Sequence, residues 1–311
     1  MHEQRYLDGR AGIDARLVAR LIAAQFPQWR HLPVLPVEHD GWDNRTYRLG
    51  ADMSVRLPTA AGYVPAVDKE DRWLPVLARS LPVPVPVPLA SGQPGEGYPF
   101  PWSVRGWLDG QPATRDGIGG QCGLATDVAG FIGALHRIDP TGGPAAGAHS
   151  GFRGAALTNY DAETRLALVA LTNRVDTAAV EALWDDALSA SWHGQPVWFH
   201  GDVAAGNLLV VDGRLSAVID FGTCGVGDPA CDLVIAWTLF TGDSRTAFRA
   251  AVYLDSSTWA RARGWALWKA LSGLAEDIDL APVQAEANLR IVEDVLADST
   301  AAARADSSPQ R

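Results

Sequence analysis

The sequence predicts an α+β chain of two lobes, a small β-rich N-terminal lobe and a larger helical C-terminal lobe. Three observations predict it. Segments with strand character lie before residue 108, at 46–49, 54–57 and 98–108. Beyond residue 108 come Ala-rich stretches with helical spacing. Between two of those stretches, short strands at 208–211 and 216–219 flank Asp212-Gly213, a strong hairpin signal. The expected division is 1–108 for the first lobe, 109–300 for the second and 301–311 for a disordered, polar and Ala-rich tail.

Each element has a local reason. Residues 14–26 place Leu17, Leu21 and Ile22 at helical spacing, with Asp14 as the cap. The strands at 46–49 and 54–57 are split by Gly50. Residues 66–79 read as a helix with Glu70, Trp73, Leu74 and Leu77 on one face, and Pro75 should kink or divide it. Prolines at every second position of 82–88 cannot donate to a central sheet, so this stretch is an edge or a linker. The 98–108 strand runs into a turn at Asp109-Gly110. Helices are expected at about 124–138, 161–171, 177–191, 227–240, 244–252, 258–275 and 282–298. No internal repeat is visible.

A chain of 311 residues with 47% hydrophobic and 20% charged side chains is long and apolar enough for a substantial core. The longest clear apolar run, 233–240, is far short of the ~20 residues needed to cross a bilayer. No apolar run follows the first five residues, so no signal peptide is expected. Cys122, Cys224 and Cys231 are too few and too scattered for a disulfide framework or a zinc site, and a reducing, cytoplasmic setting is expected. The 26 basic and 36 acidic side chains leave a net charge of −10, all of it arising beyond residue 110. That balance disfavours nucleic acid as a partner and suits a cationic ligand. Only Lys69 and Lys269 are lysines, which limits the side chains able to hold a phosphate.

The chemistry is concentrated in His200-Gly201-Asp202-x4-Asn207, followed after the hairpin by Asp220-Phe221-Gly222. Each part has a task in phosphoryl transfer. Asp202 can accept the proton of an attacking hydroxyl. Asn207 can offer a neutral carbonyl oxygen, and Asp220 a carboxylate, to one Mg²⁺, a hard cation that prefers a few protein oxygens plus phosphates and water. The intervening hairpin is expected to fold Asn207 and Asp220 back toward one point.

In this order and spacing the motifs resemble the aminoglycoside phosphotransferase family, over roughly residues 15–275 and most strongly over 197–235. The resemblance implies the two-lobed protein-kinase-like fold, with nucleotide bound by the N-terminal lobe and substrate by the C-terminal lobe. It implies Asp202 as catalytic base, His200 as the residue shaping its loop, and Asn207 and Asp220 as Mg²⁺ ligands. Asp232 would support the catalytic loop by hydrogen bonds, while Asp228 reads as a helix cap ahead of Pro229. The segment from Asp40 to Gly50 is similar to the family's loop over the phosphates, with Asn44 and Arg45 facing them. Arg56 stands where the family usually has a lysine, and Glu70 is its expected partner; an arginine still binds phosphate and pairs with carboxylates. Ser103 and Arg105 fall in the segment 102–107, which resembles the interlobe hinge whose backbone binds a purine, either ATP or GTP.

Family members phosphorylate aminoglycosides, macrolides and small hydroxylated metabolites. The first expectation is an aminoglycoside-type antibiotic, as in a resistance kinase, because Glu276, Asp277 and Asp279 cluster after the 258–275 helix in the acidic half. The alternatives are the same chemistry on a macrolide or small metabolite, and a nucleotide-binding pseudokinase without turnover. Only five residues separate Gly222 from Asp228, too few for a long phosphorylatable activation loop. No nucleic-acid, membrane or obligate protein partner is expected.

Overall fold

The computed structural model describes residues 10, 12–38, 40–41, 43–115, 121–277 and 280–306, with side chains to residue 299. Trp42 of the expected phosphate loop, Asp279, and 307–311 of the expected tail lie outside the described residues. The chain divides into two units. One holds Met1–Gln111, Leu209–Val211 and Ser216–Thr223, and the other holds Pro112–Leu208, Asp212–Leu215 and Cys224–Arg311. The division is thus not a single cut near residue 108. The stretch after the hairpin returns to the first unit, where Val218 N–H donates to Pro84 O and Phe221 N–H to the Glu70 carboxylate.

In the first unit a helix α1 (Ala15–Gln25) starts at Asp14, whose side chain accepts from Leu17 N–H at 2.7 Å. Five antiparallel strands follow: β1 (Val34–Pro36), β2 (Asn44–Leu49), β3 (Met53–Pro58), β4 (Pro88–Gly92) and β5 (Trp102–Gly106), in the order β1-β2-β3-β5-β4. Pro88 opens the edge strand, the position where a missing N–H costs least. β5 is shorter than the expected 98–108 strand because Pro99 and Pro101 have no N–H for a ladder. The two-residue alternation of β3 and β5 sorts their side chains. Val55, Leu57, Trp102 and Val104 bury against Leu17, Val18, Leu21 and Ile22 of α1. Arg56, Ser103 and Arg105 alternate with them and turn to the opposite face, where helix α2 (Val64–Leu77) lies. Pro75 does not divide α2. It removes one helical hydrogen bond near the C-terminal end, where Leu74 and Leu77 are buried and hold the last turn in place.

The second unit is mainly helical: α3 (Cys122–His136), α4 (Asp161–Ala170), α5 (Thr177–Ser189), α6 (Ile235–Thr238), α7 (Gly242–Val252), α8 (Ser256–Asp277) and α9 (Pro282–Asp306). Two short strands pair antiparallel, β6 (Val197–Phe199) and β7 (Gly225–Gly227), with Phe199 opposite Gly225. The expected 227–240 helix is instead a 3₁₀ segment, Pro229–Val234, running into α6. Asp228 caps it by accepting from Ala230 N–H, and both Asp228 oxygens also receive the Arg261 guanidinium at 2.6 and 3.1 Å. That ion pair is buried and doubly hydrogen-bonded, the geometry in which removing one partner is most costly. The last helix runs to Asp306, six residues into the expected tail, since Ala301 to Ala303 are strong helix formers. The hairpin strands are Leu208–Val211 and Arg214–Val218, around Asp212-Gly213 as expected. Among the described residues no helix is long and apolar enough to cross a membrane.

Candidate active site

The first unit assembles a charge cluster on Glu70. This carboxylate is 2% exposed. Its Oε1 accepts from Arg56 Nη1 at 3.3 Å and from Phe221 N–H at 3.1 Å, and its Oε2 accepts from Arg105 Nη2 at 3.0 Å. Burial alone would raise the Glu70 pKa, but the Arg105 and Arg56 guanidiniums and the Phe221 amide outweigh it and pull it down to about 2. Arg56 also reaches Asp220 Oδ1 through Nη2 at 3.3 Å, so one planar guanidinium spans two carboxylates. Asp220 sits at φ +65°, in the left-handed region that non-glycine residues rarely adopt. Strain of this kind persists where the surroundings over-determine it, as they do between the Arg56 contact and the anchored Phe221 amide.

The expected hinge residues take another role. Ser103 and Arg105 are paired on both sides, with β3 and with β4, so their segment is a central strand and not a free backbone edge for a purine. Arg105 is 1% exposed, donates to Ser103 Oγ at 2.9 Å and supplies charge to Glu70. Arg45 is also committed locally. It donates to Asp40 Oδ2 at 2.7 Å, and Asp40 further accepts from Thr46 N–H and Arg10. Asn44 stands at the open end of the β2–β3 hairpin, opposite Pro58.

The second unit holds the candidate catalytic loop. β6 delivers the chain into His200, Gly201 and Asp202. His200 N–H and Gly201 N–H donate to the two oxygens of the buried Asp232 at 2.8 and 2.7 Å, which pins the loop to the 3₁₀ segment. Gly201 has φ +84°, a conformation that favours glycine, and the turn there brings Asp202 N–H to His200 Nδ1 at 3.2 Å. Burial raises the Asp232 pKa despite these amides. Asn207 Nδ2 donates to the Asp202 main-chain oxygen at 2.9 Å and to Oδ2 at 3.0 Å, leaving its own Oδ1 as an oxygen donor. Asp202 Oδ1 accepts from Lys269 Nζ at 2.6 Å. Burial works to raise the Asp202 pKa, but Lys269, with help from the charges of His200 and Arg153, lowers it, so the carboxylate stays ionised.

A shallow, solvent-open recess adjoins Asp202, with Arg153, Trp265, Trp268 and Lys269 in its wall. Trp268 stacks on Tyr160 with ring centroids 3.9 Å apart, and Trp265 meets Trp268 edge-on at 5.6 Å. The Arg153 guanidinium lies 5.1 Å from the Trp268 ring centroid. Its loop is fixed at Gly154, where a side chain would collide with the Phe199 ring and where the carbonyl accepts from Asp228 N–H at 2.8 Å. Two members of the expected acidic cluster, Glu276 and Asp277, are not part of this wall: they end α8, about 10 Å along the helix from Lys269.

Sequence reasoning brought out His200, Asp202, Asn207 and Asp232 but missed Lys269 and Arg153. A signal existed for Lys269. Trp265, Trp268 and Lys269 follow i, i+3, i+4 spacing, so the lysine shares a helix face with two buried tryptophans. Arg153 lies outside every periodic segment and left no such trace.

A protein-family model described as the phosphotransferase enzyme family matches residues 34–265. No curated protein sequence matches the chain. Among solved structures, an aminoglycoside phosphotransferase in complex with GDP and kanamycin superposes with a TM-score of 0.69 at 19% identity, over 90% of this chain and 98% of that one. A macrolide 2′-phosphotransferase apoenzyme from Brachybacterium faecium gives 0.58 at 21% identity, over 90% and 98%. An aminoglycoside phosphotransferase in ternary complex with streptomycin and ATP gives 0.60 at 17% identity, over 92% and 96%. These likenesses show the two-lobed kinase-like fold.

Proposed function

The chain belongs to the phosphotransferase enzyme family, and on that premise we propose that it transfers the terminal phosphoryl group of a nucleoside triphosphate to a hydroxyl of a small molecule. The observation that carries this reading is the state of Asp202. It is an ionised carboxylate on a backbone-anchored loop, with Oδ1 held by Lys269 and Oδ2 held by Asn207. A carboxylate offers about four lone-pair directions, so each oxygen can still accept from a hydroxyl. Asp202 then aligns the acceptor oxygen and takes its proton as the bond to phosphorus forms. A depressed pKa makes it a weak base, which suits a loose transition state in which positioning outweighs proton abstraction.

The residues fit a Mg²⁺ ion by the chemistry of their donors. Asn207 Oδ1 and the Asp220 oxygen not facing Arg56 are both hard oxygen ligands, and among the described residues no group of three or more His, Cys, Asp or Glu forms a dedicated metal cage. Mg²⁺ usually takes hard oxygens of this kind together with phosphates. When bound, the ion supplies charge neutralisation at the phosphates. Arg56, with Glu70 and Arg105 behind it, supplies a fixed cation on the nucleotide side. ATP and GTP are both tested as donors, since nucleotide complexes of the similar proteins include GDP and ATP. The acceptor panel starts with aminoglycosides and macrolides, the molecules named for those same proteins.

The test is coupled nucleotide turnover with and without acceptor, comparing wild type with Asp202→Ala. The variant is expected to keep nucleotide affinity and to lose transfer by about 10²–10⁴-fold. Undiminished turnover in Asp202→Ala would refute the assignment. Nucleotide binding without transfer to any hydroxyl would support a pseudokinase instead.

A further inference from the structure

The wall of the pocket beside Asp202 has a charge pattern opposite to that of a polycation site. Asp202 is already paired with Lys269 at 2.6 Å. Asp228 is paired with Arg261, and Asp232 is occupied by two main-chain amides. Glu163 is turned to Trp268 Nε1 at 2.9 Å and Ser272 Oγ at 2.8 Å. Among the residues that line the recess the uncompensated charge is a cation: Asp202 and Lys269 pair with each other, and Arg153 makes no ion pair among the described residues. Its anchors are neutral, namely the Gly151 carbonyl at 3.2 Å, the Tyr160 hydroxyl and the face of Trp268. A second observation is independent of charge. Trp265 is 2% exposed, lines the same pocket, and its indole Nε1–H has no acceptor. Buried donors without acceptors are uncommon, and this one belongs to a residue of the wall, so its indole N–H reports on what the recess takes up.

We infer that the hydroxyl acceptor is an anion: a molecule whose carboxylate pairs with Arg153 at the mouth of this recess, beside the hydroxyl presented to Asp202. The inference rests on the phosphotransferase reading for its use of Asp202 as the acceptor-side base. A polycationic acceptor would meet Lys269 and Arg153 first, and would have to displace Lys269 from Asp202 before any ammonium reached the carboxylate that lines the recess. An acceptor carboxylate leaves that contact intact. Arg153 and Lys269 then divide the work, the first binding the acceptor and the second keeping the base ionised.

The experiment uses the full chain and two probes with the same ring and a single hydroxyl each: 3-phenyllactate, an anion, and phenylalaninol, a cation. Binding is read from the Trp265 indole N–H resonance, assigned with Trp265→Phe. 3-Phenyllactate is expected to shift this resonance and to bind about tenfold more tightly than phenylalaninol. Arg153→Gln should abolish the preference, whereas Arg153→Lys should retain most of it, which separates loss of charge from loss of fold. Equal response to both probes, preference for phenylalaninol, or no response to 3-phenyllactate would overturn the inference. Turnover assays on the same samples separate it from the broader reading. Transfer to kanamycin would uphold phosphotransfer and overturn the anionic acceptor. An intact Trp265 response with no transfer to any hydroxyl would leave the anion site standing and refute phosphotransfer.

Discussion

At the scale of single residues, Lys269 carries the most consequence for Asp202. A partly buried carboxylate is pushed toward protonation, and here Lys269 is the largest influence pulling the other way. The sign follows directly. As the proposed base, Asp202 works only when ionised, so activity should be lost as pH falls through its pKa, and removing the lysine should move that point upward. Lys269→Met should therefore shift the acid limb of the kcat/KM profile to higher pH, while Mg²⁺-nucleotide affinity is retained. An unmoved limb would mean that Lys269 does not set the ionisation of Asp202. The residues around it divide by how far apart they lie in sequence. His200, Asp202 and Asn207 lie within one turn-bound loop, and their spacing exposes them in the sequence. Lys269 reaches Asp202 across 67 positions, and only packing of α8 brings it there. Arg56 is intermediate: its strand and its partner Glu70 are legible, but its second contact with Asp220 depends on the return of the chain after the hairpin. Arg56→Lys keeps one cation but cannot span two carboxylates. It should lower stability by on the order of 2 kcal/mol in urea denaturation, and a neutral result would show that the Asp220 contact contributes nothing.

At the scale of elements, the first unit is built on alternation. β3 and β5 each send apolar side chains to α1 and charged ones to α2, so the same two strands make a hydrophobic core and a buried ion cluster. The apolar half of this pattern is readable from strand periodicity. The charged half is not, because only the pairing of β4 along their other side distinguishes Ser103 and Arg105 from hinge residues. Prolines blur the pattern elsewhere, shortening β5 while leaving α2 whole. The cluster makes a pH prediction. The Glu70 pKa is lowered from 4.5 to about 2, so its stabilisation is complete above the unfolded value and is lost as pH falls from about 4.5 towards about 2. The group is fully buried, and the shift corresponds to roughly 3 kcal/mol. Glu70→Gln should cost about 3–5 kcal/mol at neutral pH, because two guanidiniums lose their carboxylate. Its stability should then fall less steeply than wild type through the acid window. Urea midpoints measured across that window decide it, and parallel curves for the two proteins would show that Glu70 does not govern acid stability.

At the scale of the whole molecule, two fields oppose each other. The chain carries a net charge of −10, and the excess acid lies in the C-terminal half. By composition this favours a cationic ligand, and at long range it does. Close to Asp202, however, Arg153 and Lys269 dominate, and this local inversion leaves no trace in composition because two side chains out of 62 charged ones set it. The two fields act over different distances. Long-range repulsion is screened beyond about 8–10 Å at physiological salt, whereas contacts inside the pocket are screened much less. An anionic acceptor must therefore approach against the global field before it is captured by the local one. With nucleotide saturating, raising salt from low to physiological ionic strength should increase kcat/KM for such an acceptor by about two- to fivefold, through the approach step. A polycation such as kanamycin should show the reverse slope, since salt weakens both its attraction to the acidic surface and its entry. The slope is measured on whichever acceptor turns over, so it reads acceptor charge whatever the rest of that molecule is. A falling kcat/KM with salt would place the acceptor among the cations and return the substrate site to the acidic surface.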